Sequence, residues 1–185
     1  MKIAVYLGSG ESKRAVFRQG AQELGTWIGK NNHVLIYGGS DMGLMGVLAN
    51  AVLAAKGKVI GVEPRFFVEE EIQHNGLTEL IITETMAERK QKMIELADAF
   101  VAFPGGIGTL EEITEVMTLA KLGRLTKPFC FLNIDGYYEP FQSFLGVMVK
   151  EGFLESEWVE KLHFVDTIME MALFMEAVSE SSDIP

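Results

Sequence analysis

Asp98-Ala99-Phe100-Val101-Ala102-Phe103-Pro104-Gly105-Gly106-Ile107-Gly108-Thr109-Leu110-Glu111-Glu112 is the most informative stretch of this chain. The apolar run from Asp98 to Phe103 closes on Pro-Gly-Gly. After Gly108, apolar spacing predicts a helix from Thr109 to about Leu122. A glycine-rich loop between strand and helix lets backbone N–H groups approach a ligand, because no Cβ intervenes. The helix start adds free N–H donors and the positive end of the dipole, so the junction suits an anion such as phosphate. The plainer reading is a tight βα turn, with Thr109 and Glu112 at capping-box spacing.

Helical geometry sharpens the choice. At about 100° per residue, Ile113, Val116, Met117 and Ala120 share one apolar face. Glu112 projects at its edge, between Val116 and Leu119, whereas Glu111 and Glu115 point away. An acid turned toward packed surface beside an anion-binding loop either caps the helix or meets a ligand. Upstream, Thr83 to Ala97 reads as a helix with Met86, Met93, Ile94 and Ala97 on one side. Lys90 projects between Ala97 and Ile94, and Arg89 between Met93 and Leu96. Long basic side chains can snorkel past apolar neighbours to water. Two adjacent cations on the inward face point instead to a buried anionic partner. Arg89, Lys90, Glu112 and the glycine loop then converge on one site for a phosphorylated ligand.

The rest of the chain alternates short apolar runs with helical patterns. Strands are expected at Lys2 to Leu7, Val34 to Tyr37, Lys58 to Val62, Leu80 to Ile82, Asp98 to Phe103, Lys127 to Leu132 and Phe164-Val165. Helices are expected at Arg14 to Gly29, Leu44 to Lys56, Tyr138 to Glu151, Ser156 to Leu162 and from Asp166 onward. Arg65 to Gly76 reads as an acidic connection. The pattern implies a Rossmann-like α/β fold: a single domain over 1–178, with a mainly parallel sheet, helices on both faces and a frayed tail at 179–185. In such sheets ligands sit at the carboxyl ends of the strands. Gly8-Ser9-Gly10, Gly38-Gly39-Ser40 and Pro104 to Thr109 all fall on that rim, so Ser9, Gly39 and Gly105 join the candidate binding residues.

Composition sets the bounds. A chain of 185 residues, 48% hydrophobic, can bury a sizeable core. A net charge of −10 argues against nucleic-acid binding, which needs a basic surface. The single Cys130, in an apolar run, reads as a core thiol in a reducing, cytoplasmic protein. Met1 to Leu7 is too short for a signal peptide, and no run approaches a membrane span. His33, His74 and His163 lack metal-ligand spacing. Lys13 stands where a dinucleotide motif needs its third glycine, no acid ends the second strand, and no Walker lysine follows a glycine loop. These absences disfavour an NAD-linked oxidoreductase, and no lysine is marked as an aldimine former for a pyridoxal-dependent decarboxylase.

The motif Pro104 to Glu112 (P-G-G-x-G-T-x-x-E), preceded by Glu88-Arg89-Lys90, resembles the Lonely Guy family of phosphoribohydrolases, long mislabelled as lysine decarboxylases. Tyr37-Gly38-Gly39, Gly43-Leu44-Met45-Gly46 and Asn133 to Tyr138 extend the resemblance over roughly Ile3 to Val165. It implies a homodimer with sites near the interface, and hydrolysis of a nucleoside 5′-monophosphate, AMP or an N6-substituted AMP, to free base and ribose 5-phosphate. No metal or other cofactor is implied. Arg89 and Glu112 would be catalytic. Lys90 and Gly106, Ile107, Gly108 and Thr109 would hold phosphate and ribose. Glu71, before Ile72, and Thr118 match further ligand-contact positions. Thr118 projects away from its helix's core face, so it is either a plain surface residue or a contact to the partner subunit's pocket. Ala87 replaces a usual histidine, Ser40 a usual glycine, and Glu63 a commonly apolar residue.

These residues suggest a mechanism. Cleaving an N-glycosidic bond builds oxocarbenium charge on the ribose, which a carboxylate beneath the sugar can stabilise while orienting water. Glu112 is assigned that role. Arg89 would orient it, Lys90 would add a second cation, and the glycine loop with Thr109 would anchor the 5′-phosphate. A noncatalytic nucleotide sensor using the same pocket is the competing reading.

Overall fold

The computed structural model describes residues 1–69 and 73–180. Glu71 and Ile72 lie outside the described residues, as do residues 181–185 of the expected tail.

Seven parallel strands form one sheet: β1 (Lys2–Tyr6), β2 (Val34–Tyr37), β3 (Lys58–Pro64), β4 (Glu79–Thr83), β5 (Ala99–Ala102), β6 (Phe129–Leu132) and β7 (His163–Val165). Their order is β4-β3-β2-β1-β5-β6-β7, the Rossmann-like α/β arrangement expected. Ile3 to Tyr6 of β1 pair with Ala99 to Ala102 of β5, while Lys2 to Ala4 also pair with Val34 to Ile36 of β2. The interior strands are apolar throughout because helices cover both faces. On one face, α1 (Ala15–Lys30), α2 (Gly43–Ala54) and α8 (Ile168–Glu180) pack Leu24, Leu48 and Met171 against Ile3, Leu35 and Val101. On the other, α4 (Met86–Leu96), α5 (Ile107–Lys121) and α6 (Glu139–Lys150) pack Met93, Ile113 and Leu145 around Tyr6, Ile36 and Phe100. The remaining helices, α3 (Arg65–Glu69) and α7 (Ser156–Val159), are short. Among the described residues no helix is long and apolar enough to cross a membrane.

The order of the strands positions the site. The chain leaves β1 toward β2 but leaves β5 toward β6, on the opposite side, so the loops after β1 and β5 diverge and open a crevice. Their bases are packed backbone to backbone. Gly8 N donates to Pro104 O at 3.3 Å, and a Cβ on Gly105 would come within 2.7 Å of Gly8 N.

Two helix starts differ from the sequence expectation. α5 begins at Ile107 rather than Thr109. Gly106 is its N-cap, in extended backbone with no side-chain cap. The Thr109–Glu112 capping box, the plainer reading of that spacing, therefore does not form. Thr109 is already inside the helix and buried, and Glu112 is engaged elsewhere. α4 begins at Met86, not Thr83, because Thr83 completes β4. The cap is Thr85, whose Oγ1 accepts from Glu88 N at 3.1 Å, while the Glu88 carboxylate accepts from Glu84 N. The connection after β3 also carries structure: α3, and a bridge between Gln73 and Ser40.

Candidate active site

A cavity of roughly 580 Å³ opens at the carboxyl rim of the sheet, over the divergence of β1 and β5. Its lining comes from several strand ends: Leu7 to Ser9 after β1, Gly38 and Ser40 after β2, Glu63 on β3, Arg89 on α4, and Gly106 to Thr109 with Glu111 and Glu112 on α5.

One end is the start of α5. The first helical bond from this turn runs from Leu110 N to Gly106 O at 3.2 Å, which leaves the N–H groups of Ile107, Gly108 and Thr109 without intrahelical acceptors. They lie where the helix dipole is positive. Thr109 is 3% exposed, and its Oγ1 sits against Gly105. Neither Gly106 nor Gly108 has an atom within 4 Å of where a Cβ would stand. Packing inside the chain therefore does not require glycine there.

At the floor, Arg89 and Glu112 form a buried pair. Arg89 Nη1 donates to Glu112 Oε1 at 2.5 Å, and Nε donates to Val62 O at 3.0 Å, so the guanidinium is anchored to β3 and α5 together. The two side chains are 7% and 8% exposed. Burial pushes the Glu112 carboxyl above its ordinary range, and the Arg89 charge and hydrogen bond pull against it. Both residues fall on the inward faces that the helical projections gave them.

Lys90 goes elsewhere. Its ammonium pairs with Glu111 and, at 3.0 Å, with Glu115, and it does not line the cavity. Glu111 hydrogen-bonds it and holds its pKa above the ordinary lysine value. Thr118 is exposed on the outer face of α5, donating to Thr114 O at 2.7 Å, and it too is away from the cavity. Ser9 is on the rim. Gly39, with φ +88, is buried beside Glu63, and Gly105 supports the loop from behind, its carbonyl accepting from Tyr137 Oη. Of the departures, Ala87 is exposed and off the cavity, whereas Ser40 Oγ accepts from Met42 N at 3.1 Å and shapes the turn into α2.

Sequence reasoning did not place Glu63 in the site, nor the apolar lining of Met42, Met45, Phe67 and Met86. Glu63 is 1% exposed, and its Oε2 has no hydrogen-bond partner among the described residues. Burial pushes its carboxyl up to about 7, with Arg89 opposing. An acid closing the apolar run Lys58 to Pro64 was the available signal.

Residues 45–175 match a family described as "Possible lysine decarboxylase". A cytokinin riboside 5′-monophosphate phosphoribohydrolase of Oryza sativa subsp. japonica is 40% identical over 175 residues, 95% of this chain and 72% of that protein. Its counterpart from Rhodococcoides fascians is 42% identical over 153 residues, 82% of this chain and 77% of that protein. Among solved structures, a molybdenum cofactor binding protein from Rippkaea orientalis superimposes with a TM-score of 0.74, covering 96% of both chains at 20% identity. At that identity the likeness is one of fold.

Proposed function

The chain belongs to the Lonely Guy family of phosphoribohydrolases, and we propose that it hydrolyses the N-glycosidic bond of a nucleoside 5′-monophosphate, releasing free base and ribose 5-phosphate. The observation that carries this reading is the buried Arg89–Glu112 pair on the floor of the cavity whose end is the α5 N-terminus. Glu112 follows Ile107 by five positions, roughly 7.5 Å along the axis. That is the scale separating a 5′-phosphate from the anomeric carbon of its sugar.

In this reading the N–H groups of Ile107, Gly108 and Thr109 take the phosphate, and Gly106 keeps the approach open. The sugar then lies over Glu112, whose carboxylate stabilises the oxocarbenium charge and orients the attacking water. Arg89 fixes the rotamer of Glu112 and favours its ionised form against burial. Lys90, already paired with Glu111 and Glu115, contributes to the field from outside the cavity. The described lining contains no lysine, so an aldimine-based decarboxylation finds no support there.

We also infer a homodimer. Ile107 is 82% exposed at the cavity rim and Leu122 66% exposed at the far end of α5, on the outer side that carries Thr118. A second copy on that side would cover both and bring Thr118 near a neighbouring pocket. The buried Cys130 thiol, pushed up to about 12 by burial, suits the reducing cytoplasm we assign to it.

Incubation of the purified protein with AMP and with N6-isopentenyl-AMP, assayed for free base and ribose 5-phosphate, tests the activity. Binding of both without release would favour the sensor instead.

A further inference from the structure

Glu63 is a buried acid of the cavity lining that the proposed chemistry does not use. It is 1% exposed, and its Oε2 is left without a hydrogen-bond partner among the described residues. A buried acceptor in that condition is destabilising, the more so if charged. An apolar side chain at this position would avoid the cost. The Arg89 charge acts on the carboxyl, but the hydrogen bonds of Arg89 run to Val62 O and Glu112 rather than to Glu63. Gly39 lies directly alongside, where a Cβ would come within 3.1 to 3.3 Å of the Glu63 side chain, and Glu63 is one of the residues lining the cavity.

The order of groups across the cavity says which part of a ligand arrives there. The α5 N-terminus lies at one end, Glu112 follows along the helix, and Arg89 links Glu112 to Val62, the residue preceding Glu63. A nucleotide has the same order: phosphate, sugar, base. With phosphate at the helix start and sugar over Glu112, the base reaches β3. Met42, Met45 and Phe67 supply apolar surface for a flat ring, and Glu63 is an acid lining the same cavity.

We infer that Glu63 is a specificity-determining residue that reads the base, its carboxyl engaging an edge where an exocyclic amino group stands beside a ring-nitrogen acceptor, as in a 6-aminopurine. The carbonyl oxygen accepts from the amino N–H, and the hydroxyl donates to the ring nitrogen. A carboxyl pushed up to about 7 carries that proton on much of the population near neutrality. This assignment rests on the nucleotide orientation given above.

The test compares AMP with purine riboside 5′-monophosphate, which lacks only the amino group, in the wild type, Glu63→Met and Glu63→Gln. Dissociation constants come from calorimetry, and released base is assayed in parallel. The wild type is expected to bind AMP about 10-fold more tightly or better, and Glu63→Met to shrink that ratio to within about twofold. Glu63→Gln is expected to keep it, since a carboxamide offers the same acceptor and donor to an adenine edge. A wild-type ratio near one, or a ratio that Glu63→Met leaves intact, overturns the assignment. So does a result in which Glu63→Met instead erases discrimination between AMP and 2′-deoxy-AMP, which would put Glu63 on the sugar. Failure of the wild type to release base from either nucleotide would sink the glycosidase reading alone. The binding ratios would still decide the role of Glu63.

Discussion

Arg89 and Glu112, carried by helices that follow different strands, meet 2.5 Å apart beneath the cavity, with less than a tenth of either side chain exposed. Joining two buried ions is not in itself a strong source of stability, since desolvation offsets the attraction. The pair makes better sense as a positioned carboxylate and its holder.

Glu112→Gln separates those roles. The amide carbonyl still accepts from Arg89, so the protein folds. With a buried guanidinium less well matched, stability falls by about 1–2 kcal/mol, or roughly 2–8 °C in Tm. Turnover of a nucleoside monophosphate falls about 10²-fold or more. Thermal melts alongside the base-release assay check both. A variant that melts earlier yet turns over normally would make Glu112 structural.

Glu63 gives stability a pH dependence of defined sign. Its carboxyl titrates near 7 in the folded protein against 4.5 unperturbed, so in this window the folded chain retains a proton that the unfolded chain has released. Stability attributable to this group falls as pH rises from about 4.5 to 7 and levels off above, a loss of at most about 3 kcal/mol. Glu63→Gln removes the titration. It is expected to raise Tm relative to wild type at pH 8 and to change it little at pH 4.5. An equal shift at both pH values would refute the account.

The loop glycines divide into two kinds. Gly105 is pressed between Thr109 and the backbone of Gly8, so Gly105→Ala should destabilise by more than about 1 kcal/mol through overpacking. Gly108 has open space and sits in the first turn of α5. Gly108→Ala should be stabilising by about 0.5 kcal/mol, because alanine favours helix. It should nonetheless weaken nucleotide binding, since its methyl group would meet a bound phosphate. Denaturant melts and calorimetric titration with AMP make the comparison. Unchanged affinity in Gly108→Ala would argue against phosphate at this turn.

Lys90 does not line the cavity and is held by two acids, Glu111 at its lining and Glu115. Lys90→Met is expected to raise KM less than about fivefold and to leave kcat near wild type, an effect that fades by 1 M salt, where the Debye length is about 3 Å. Steady-state kinetics at two ionic strengths decide it. A large loss of kcat would mean that Lys90 swings into the site during turnover.

Much of this architecture could be read in advance because its signals are local. Val34 to Tyr37 and Asp98 to Phe103 are apolar runs closed by glycine, and both became interior strands. The projections of Arg89 and Glu112 survived because a helix rotates at a fixed rate per residue. The same wheel could not separate Arg89 from Lys90. Adjacent residues differ by about 100°, and only the position of α5 reveals that one faces the cavity and the other Glu111. The capping box failed because the backbone of Gly106 starts the helix without it, freeing Glu112. Glu63 was legible only as an oddity at the end of a strand. Its proximity to Gly39 and Arg89 depends on how β3 lies beside β2 and under α4, which no local pattern encodes.

The pairing of β1 with β5 has a bearing on how the protein is made. Lys2 N donates to Asp98 Oδ2 at 2.7 Å across a separation of 96 residues, and Ile3 pairs with Ala99. A chain emerging from the ribosome can zip β1 to β2 early, but must keep the other edge of β1 unsatisfied until β5 arrives. Such edges invite pairing with foreign strands. The cavity cannot exist before that closure, since its loops diverge from this very seam. A nucleotide that binds only the finished sheet therefore draws nascent chains toward completion by mass action.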